Sequence, residues 1–376
     1  MRDAAKPDPK PRFRADHVGS LLRPARLRKA REDRAAGRIG AGELAAIEDE
    51  EIARAVAMQQ DIGIPAVTDG EFRRAFWHFD FMGMLDGFAL EERGEGVAFH
   101  GATLKPVRPV IRERVDFPAD HPMLAHFRHL ASVAKATPKI SIPGPSCCHF
   151  RVDRADIAPP EYADDEALFA DLAATYRKAV RAFHEAGCRY LQMDDIFLAY
   201  LCDPKIRAEK TALGWDCDRI IRKYAWMMNE AIKDRPADMT IAMHLCRGNF
   251  KSTWVAEGGY DPVAEAIFST DIDIYFMEYD SARAGGFEPL RLLPRGPKRV
   301  MPGLVTTKTA TLEPLDGLKR AFDAASRFAD IDQLGLAPQC GFSSTEEGNL
   351  VTEDDQKRKL ELVVKAAEAI WGRVDG

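Results

Sequence analysis

The sequence predicts an α/β protein of the (β/α)8, or TIM-barrel, type. Three observations predict it: eight short apolar or β-branched runs, amphipathic helical stretches between them, and polar residues gathered at the C-terminal ends of the runs. The runs are FRADHVG (13–19), IPAVTDG (64–70), KISIPG (139–144), RYLQMDD (189–195), TIAMHLC (240–246), DIYFMEYD (273–280), RVMPGLVTT (299–307) and LGLAPQC (334–340). Residues 42–61 place Leu44, Ile47, Ile52 and Val56 on one helical stripe with acidic residues opposite. Residues 165–186 repeat the pattern with Leu168, Leu172, Tyr176, Val180 and Phe183, and stop at Gly187, the residue type that most easily turns left-handed past a helix end. Residues 217–233, 262–268, 314–328 and 353–371 do likewise. Strand–helix alternation of this length implies parallel strands joined by right-handed crossovers. Eight such units favour a closed barrel over a doubly wound open sheet, the second fold the pattern admits.

Two segments break the rhythm. Residues 1–14 (MRDAAKPDPKPRFR) are basic and proline-rich without an apolar stretch, so they are expected to form a disordered tail and not a secretory signal. Residues 78–136 mix strand-like and loop-like segments after the second run. They are expected to form an insertion that lids the barrel, leaving 15–376 as a single catalytic domain.

Composition narrows the function classes. A chain of 376 residues suits one barrel with insertions. A formal net charge of −6, from 53 basic and 59 acidic side chains, supplies no basic field for nucleic acid. No run of 18 apolar residues occurs, so no transmembrane helix is expected. Seven cysteines are an odd and low count for this length, which favours reduced thiols in a cytoplasmic protein. Cys147, Cys148, Cys188, Cys202 and Cys217 read as small buried hydrophobes; Cys246 and Cys340 have neighbours that set them apart.

In barrels of this type the chemistry sits at the C-terminal strand ends. Glu71 follows the second run, Asp194 and Asp195 end the fourth, and His244 and Cys246 end the fifth. Glu278 ends the sixth, Lys308 follows the seventh and Cys340 ends the eighth. His244 and Cys246 are two apart, so on a strand both project to one face and supply half of a tetrahedral zinc site. Such a pair alone is more commonly a buried histidine beside a core cysteine. Glu278 and Cys340, at matching strand ends, would complete the site, and the thiolates favour zinc over magnesium or calcium.

The segments DHVGSLLRP, TDGEFRR, IPGPS, YLQMDD, HLCRGN, FMEYD and PQCGFSSTEEGN, spread over residues 16–349, resemble the catalytic C-terminal half of cobalamin-independent methionine synthase. More closely, they resemble the short, single-barrel relatives of that enzyme. The resemblance implies Zn2+ held by His244, Cys246, Glu278 and Cys340, and transfer of a methyl group to the thiol of homocysteine. It implies that Gly19 and Ser20 hold the amino acid's carboxylate, and that Glu71 and Asp194 hold its ammonium group. Two carboxylates at neighbouring strand ends suit a cationic amine on physical grounds as well.

Where the family carries a D-I-H-S-P-R segment, this chain reads GLVTTKTA, which places Lys308 at the position of the presumed proton donor to the leaving group. His17, beside the HVGS turn, is a second candidate for that role. The long members also carry an N-terminal barrel that this sequence does not contain. The methyl donor is therefore open between methyltetrahydrofolate and methylcobalamin, the latter with a corrinoid protein as partner. Otherwise the expected partners are a small-molecule thiol and the donor, with no nucleic acid or membrane; a homo-oligomer is left open. Trp77, Trp254 and Phe150 are candidates to stack on a flat donor, and Arg23, Arg73 and Arg74 to bind an anionic group. The loop Pro143–Ser146 is a candidate for close approach to ligand, and Asp195 for a helix cap. Two alternatives use the same ligands: a zinc alkyltransferase for another thiol or electrophile, such as an epoxide opened by coenzyme M, and a non-catalytic zinc- or corrinoid-binding barrel. A metal-free decarboxylase on the same barrel, of the uroporphyrinogen type, leaves the His-x-Cys, Glu and Cys pattern without a use.

Overall fold

The computed structural model describes residues 13–375 apart from 97, 101, 104 and 105. Six parallel strands, Ile140–Pro143, Tyr190–Asp194, Thr240–Leu245, Ile274–Glu278, Arg299–Val305 and Ala337–Pro338, lie side by side in chain order. Ala66–Val67 pairs in parallel with Thr137–Pro138, and the Lys139 amide donates to the Val67 carbonyl (2.8 Å), which carries the pairing into Ile140–Pro143. The first run closes the ring. The Leu336 amide donates to the Arg14 carbonyl (2.7 Å) and the Asp16 amide to the Leu336 carbonyl (3.1 Å). On the other side the Thr68 hydroxyl donates to the Gly19 carbonyl (2.6 Å) and the Leu21 amide to the Gly70 carbonyl (3.0 Å). The curled sheet thus meets itself, as the eight runs predict.

Every residue of the six sheet strands is buried, the pattern of parallel strands covered on both sides. Val18, Ala66, Tyr190, Ala242, Ile274, Phe276, Met301 and Ala337 form a compact cluster of their own, drawn from seven of the eight runs. The third run contributes Lys139 instead. Its ammonium is paired with Asp16 (2.7 Å) and lies over the rings of Phe276 (4.7 Å) and Tyr190 (5.2 Å), so this buried charge is compensated. The helices Ala41–Ile62, Asp165–Glu185, Cys217–Ile232, Leu315–Ala325 and Glu353–Trp371 appear where the 3.6-residue stripes predict them. Ala41–Ile62 ends at Gly63 with φ 89°, a left-handed turn open to glycine. Among the described residues, no helix is long and apolar enough to cross a membrane.

Two expected boundaries move. Residues 1–12 of the expected tail lie outside the described residues, but Phe13 and Arg14 belong to the fold. Phe13 bridges Asp375, and the buried Arg14 guanidinium donates to the carbonyls of Leu334 (2.7 Å) and Ile331 (3.3 Å). A charged side chain with backbone acceptors on the far end of the barrel is held in place whatever its local composition suggests. The segment 78–136, expected as insertion throughout, ends in a ring helix, Pro122–Val133. That helix buries Met123, Leu124, Phe127 and Leu130 and packs on Ala41–Ile62 and Asp165–Glu185. The inserted part is the antiparallel hairpin Asp86–Glu92 with Val107–Asp116, tipped by the small pair Ala98–Phe99 and Ala102–Thr103. Its tip reaches the loop that follows Cys246: the His100 amide donates to the Trp254 carbonyl (3.0 Å), and the rings of Phe99 and Phe250 are 5.3 Å apart.

Candidate active site

The register of the barrel assembles the site. Asp194 and His244 are paired across adjacent strands, which brings the Asp194 Oδ1 to 3.3 Å from His244 Nδ1. The Gln192 amide, two residues back on the same face, donates to that Asp194 oxygen (2.7 Å) and to the Val18 carbonyl (2.7 Å). With Nδ1 engaged by the carboxylate, His244 Nε2 is left buried and without a partner. A carboxylate on one ring nitrogen and an open second nitrogen is the arrangement of a metal-ligating histidine.

Cys246, just past the fifth strand, and Cys340, just past the eighth, meet on the same side. Their sulfurs are 3.8 Å apart, and the donor atoms of His244, Cys246 and Cys340 all lie within 4.8 Å of one another. The edge of a tetrahedron with zinc–sulfur arms is about 3.8 Å, so the sulfur spacing fits a shared metal. All seven cysteines are free thiols in the structure, and these two are deeply buried. The two thiols are driven apart: the Cys246 thiol and the His244 ring hold Cys340 far below the usual thiol range, while Cys340 and burial push Cys246 up. Burial acts to lower His244, but Asp194 and the Cys340 sulfur outweigh it and raise the ring to about 10. A cation arriving here would displace these protons, as soft-metal sites do.

Glu278 departs from its expected place in this set. It is fully buried, but one oxygen accepts the Arg247 amide (2.8 Å) and the other the Arg283 guanidinium, so it is not among the three clustered donors. Burial alone would raise its pKa, yet the charges of Lys308, Arg283 and Arg247 hold it low. Two arginines meet this carboxylate: Arg247 lies in the HLCRGN segment, Arg283 in none of the quoted segments, and neither spacing nor period pairs them with Glu278. Arg247 is itself fixed over the Tyr260 ring at 4.2 Å, and Arg283 also binds Asp280 (2.9 Å).

Glu71 and Gly70 are both left-handed, with φ 60° and 65°. For a glutamate this conformation is uncommon and concentrates at functional sites. One oxygen of Glu71 accepts the Ser141 hydroxyl (2.9 Å), and Arg74 lies 3.8 Å from the other, Oε2, which is buried with no hydrogen-bond partner. Burial raises this carboxyl to about 7 despite Arg74. The Ser20 hydroxyl accepts the Ser343 amide (3.3 Å), and a Cβ at Gly341 would lie 1.9 Å from it, so only glycine fits there. Ser20, Glu71, Asp194, His244, Cys246 and Cys340 line one cleft at the barrel mouth.

Gly19, His17, Lys308 and Glu278 fall outside that lining. Gly19 is left-handed at φ 136° and shapes the turn that presents Ser20. His17 does not line the cleft: burial, then the charge of Lys139, pushes it down to about 4, and its carbonyl receives the Lys139 ammonium. Lys308 Nζ is buried and without a hydrogen-bond partner, and its charge acts on Glu278 and Cys340.

Arg23 spends its guanidinium on the carbonyls of Leu21, Ser343, Glu71 and Arg74, and Arg73 pairs with Asp49, so neither is free for an anion. Arg74 donates to the Ser141 carbonyl (2.6 Å) beside Glu71. Asp195 caps no helix; it accepts the Ser146 hydroxyl and sits where a Cβ on Gly144 would be 2.6 Å away. Of the stacking candidates, Trp77 lines the cleft, Phe150 stacks on Phe197 (4.4 Å) and Trp254 on His100 (5.2 Å). Ser141, Gln192, Arg283, His78 and Arg151 are site residues the sequence reading missed. The first two had a signal in the strand period, since Gln192 and Asp194 share a face.

An α/β barrel that gathers a His–Cys–Cys donor set and two carboxylates in one cleft is an enzyme of the metal-competent barrel class. Residues 13–369 match the cobalamin-independent synthase catalytic domain, and the chain belongs to that family of methyltransferases. It is 47% identical over 365 residues to the uncharacterized Bacillus subtilis protein YxjG, covering 96% of both chains. A solved Listeria monocytogenes structure assigned to the vitamin-B12-independent methionine synthases is 36% identical, with a TM-score of 0.77, covering 97% of this chain and 100% of that one. A Bradyrhizobium diazoefficiens 5-methyltetrahydropteroyltriglutamate–homocysteine methyltransferase is 25% identical over 338 residues, covering 89% of this chain and 39% of the relative. The chain therefore spans about two fifths of that longer enzyme.

Proposed function

We propose that the protein is a zinc-dependent methyltransferase that methylates the thiol of homocysteine to give methionine. The observation that carries this reading is the meeting, in one cleft, of one imidazole and two thiol donors within 4.8 Å of one another with the unpartnered Glu71 Oε2. His244 Nε2, Cys246 Sγ and Cys340 Sγ would hold the metal, and Glu278, at the end of the adjacent sixth strand, would join them once released by its arginines. Zinc held there would supply a Lewis acid that lowers the pKa of an alkyl thiol, near 8.5 when free, and the thiolates of Cys246 and Cys340 would temper that acidity.

The chain's own residues do the rest. Glu71 and Asp194 pair the substrate ammonium, and Ser20 hydrogen-bonds its carboxylate, which fixes the thiol in line with the incoming methyl carbon. Asp194 also holds His244 through one oxygen. Lys308 adds a positive charge that acts on Glu278 and, after Cys246 and His244, on Cys340. The Glu71 oxygen favours an amino-acid thiol over a thiol such as coenzyme M, which has no amine to meet it. Substrate and donor are small molecules, and a cytoplasmic setting suits seven reduced thiols.

Zinc-edge X-ray absorption spectra with and without homocysteine test the reading. Two sulfur ligands are expected to become three on addition of homocysteine. A zinc shell that homocysteine leaves unchanged rejects the acceptor, and failure to load zinc rejects the metal. The supporting carboxylate is also testable: Asp194→Asn is expected to weaken zinc binding by roughly 10- to 100-fold, the usual cost of losing an outer-shell partner of a ligating histidine. Competition with a chromophoric chelator measures this, and an unchanged affinity would remove Asp194 from the role.

A further inference from the structure

We propose that Asn249 is a specificity-determining residue that selects an amine-bearing thiol, by accepting the third N–H of the substrate ammonium beside Glu71 and Asp194. The proposal rests on the thiol methyltransferase reading and adds to it a residue that decides which thiols the cleft takes. Asn249 closes the HLCRGN segment, three residues after Cys246. It is 6% exposed and lines the cysteine cleft together with Ser20, Glu71 and Asp194.

The amide of Asn249 has a fixed orientation. Its Nδ2 donates to the Gly341 carbonyl (2.9 Å), and a carbonyl is met only by the NH2 side of an amide. The oxygen is therefore the atom left over, and this Oδ1 is buried with no hydrogen-bond partner. Buried amide oxygens normally accept a bond, and one inside a substrate cleft calls for a ligand that donates it.

The contacts around Asn249 place it at the amino-acid end of the cleft. A Cβ on Gly341 would lie 1.9 Å from Ser20 Oγ, and one on Gly19 would lie 3.7 Å from Glu71 Oε1. Asn249, Gly341, Ser20, Gly19 and Glu71 thus follow one another in contact. Glu71 Oε2 is a second buried acceptor without a partner in the same run. An alkylammonium carries three N–H donors, so two carboxylates leave one of them over. A neutral oxygen suits that third place, because a third buried carboxylate would add charge that a single cation does not offset.

The acceptor is also held rigid. Before it, the Arg247 amide donates to Glu278 (2.8 Å), and the Arg247 carbonyl accepts the amides of Val255 (2.9 Å) and Ala256 (3.1 Å). After it, Phe250 and Thr253 exchange backbone hydrogen bonds (3.3 and 2.9 Å) around Lys251 and Ser252, which are left-handed at φ 47° and 64°. Two successive non-glycine residues in that region persist only where their surroundings fix them. Here the Ser252 amide donates to Asn349 Oδ1 (3.2 Å), and its hydroxyl accepts the Leu350 amide (3.0 Å). An oxygen anchored on both sides does not turn to another partner, so a thiol without an amine leaves it unpaired. A site built this way rejects the analogue that lacks the donor.

The test uses the full-length, zinc-loaded protein at pH 8 with two probes, homocysteine and 4-mercaptobutanoate, which keeps the thiol, the chain length and the carboxylate and lacks only the amine. Asn249→Leu is expected to weaken homocysteine binding in calorimetry by about tenfold or more, and to leave 4-mercaptobutanoate binding unchanged or tighter, since no acceptor is then left unpaired. Asn249→Ala, which cannot overfill the cleft, is expected to give the same selective loss. Zinc content is expected to hold in both variants. Equal weakening of the two thiols, or loss of zinc in both variants, makes Asn249 a structural hold on Gly341 and overturns the proposal. Wild-type homocysteine affinity in both variants overturns it as well. A wild-type protein whose zinc-edge spectrum does not respond to homocysteine instead rejects the thiol reading itself, so the two failures are distinguishable.

Discussion

Cys340→Ser is expected to reduce thiol methylation by more than about 100-fold, beyond the range of outer-shell changes, while the barrel stays folded. Cys340 is the sulfur that ties the eighth strand to the fifth: its Sγ lies 3.8 Å from Cys246 Sγ and 3.8 Å from the Ser344 hydroxyl. It is also the group held most strongly as a thiolate, by the Cys246 thiol first and by His244 after it. A serine hydroxyl is not deprotonated in this setting, so the donor set loses a soft anion and with it the bulk of its zinc affinity. The fold has little to lose. The side chain shrinks slightly, and the barrel closes through backbone bonds at Leu336 and Asp16 that do not involve it. Zinc content, steady-state rate and a thermal melt on the same preparation check this together. Metal and activity should fall while the melting temperature holds. A variant that unfolds would mark the metal as structural, since structural zinc sites contribute folding energy directly.

The residues with a periodic or motif signal were legible in the sequence, and those placed by competition between side chains were not. Strand ends project their last residues into the barrel mouth by geometry, so Glu71, Asp194, His244, Cys246 and Cys340 converge as their positions predict. Glu278 also ends its strand, but its direction depends on Arg283, five residues away on a 3-10 turn, and on the Arg247 amide. His17 sits next to the Ser20 turn in sequence, yet the alternation of a strand sends it to the opposite side from Val18, which lines the cleft. The helix Pro122–Val133 was hidden because it follows directly on a hairpin, and its stripe reads as more of the same irregular insertion. Trp77 and His78 lie on a stretch with no period, where only the packed structure shows which rings face the cleft.

Glu71→Gln is expected to raise the KM for homocysteine by roughly 10- to 150-fold at pH 8, the loss of one hydrogen bond to a charged partner worth about 1.5–3 kcal/mol. Glutamine keeps the size and still accepts from the Ser141 hydroxyl, so zinc content should not change, in contrast to Cys340→Ser. The pH dependence separates this role from simple packing. Burial raises the Glu71 carboxyl to about 7 in the free protein. Below that pH it is protonated and cannot pair an ammonium group, so the wild-type KM for homocysteine should climb as pH falls from 8 to 6. The Glu71→Gln protein should lose this component of the profile. Stability should move the other way. Between about 4.5 and 7 the folded protein keeps a proton on Glu71 that the unfolded chain has released, so this group makes the protein less stable as pH rises through that window. Above 7 the wild type carries a buried charge met by Arg74 at 3.8 Å, the Ser141 hydroxyl and the charge of Arg23, which do not offset its burial. Glu71→Gln removes that cost and should melt higher than wild type at pH 8 in the absence of homocysteine. Weaker substrate binding in a more stable protein is the signature of a carboxylate held strained and desolvated for a ligand. A variant that loses both affinity and stability would make Glu71 a structural residue instead.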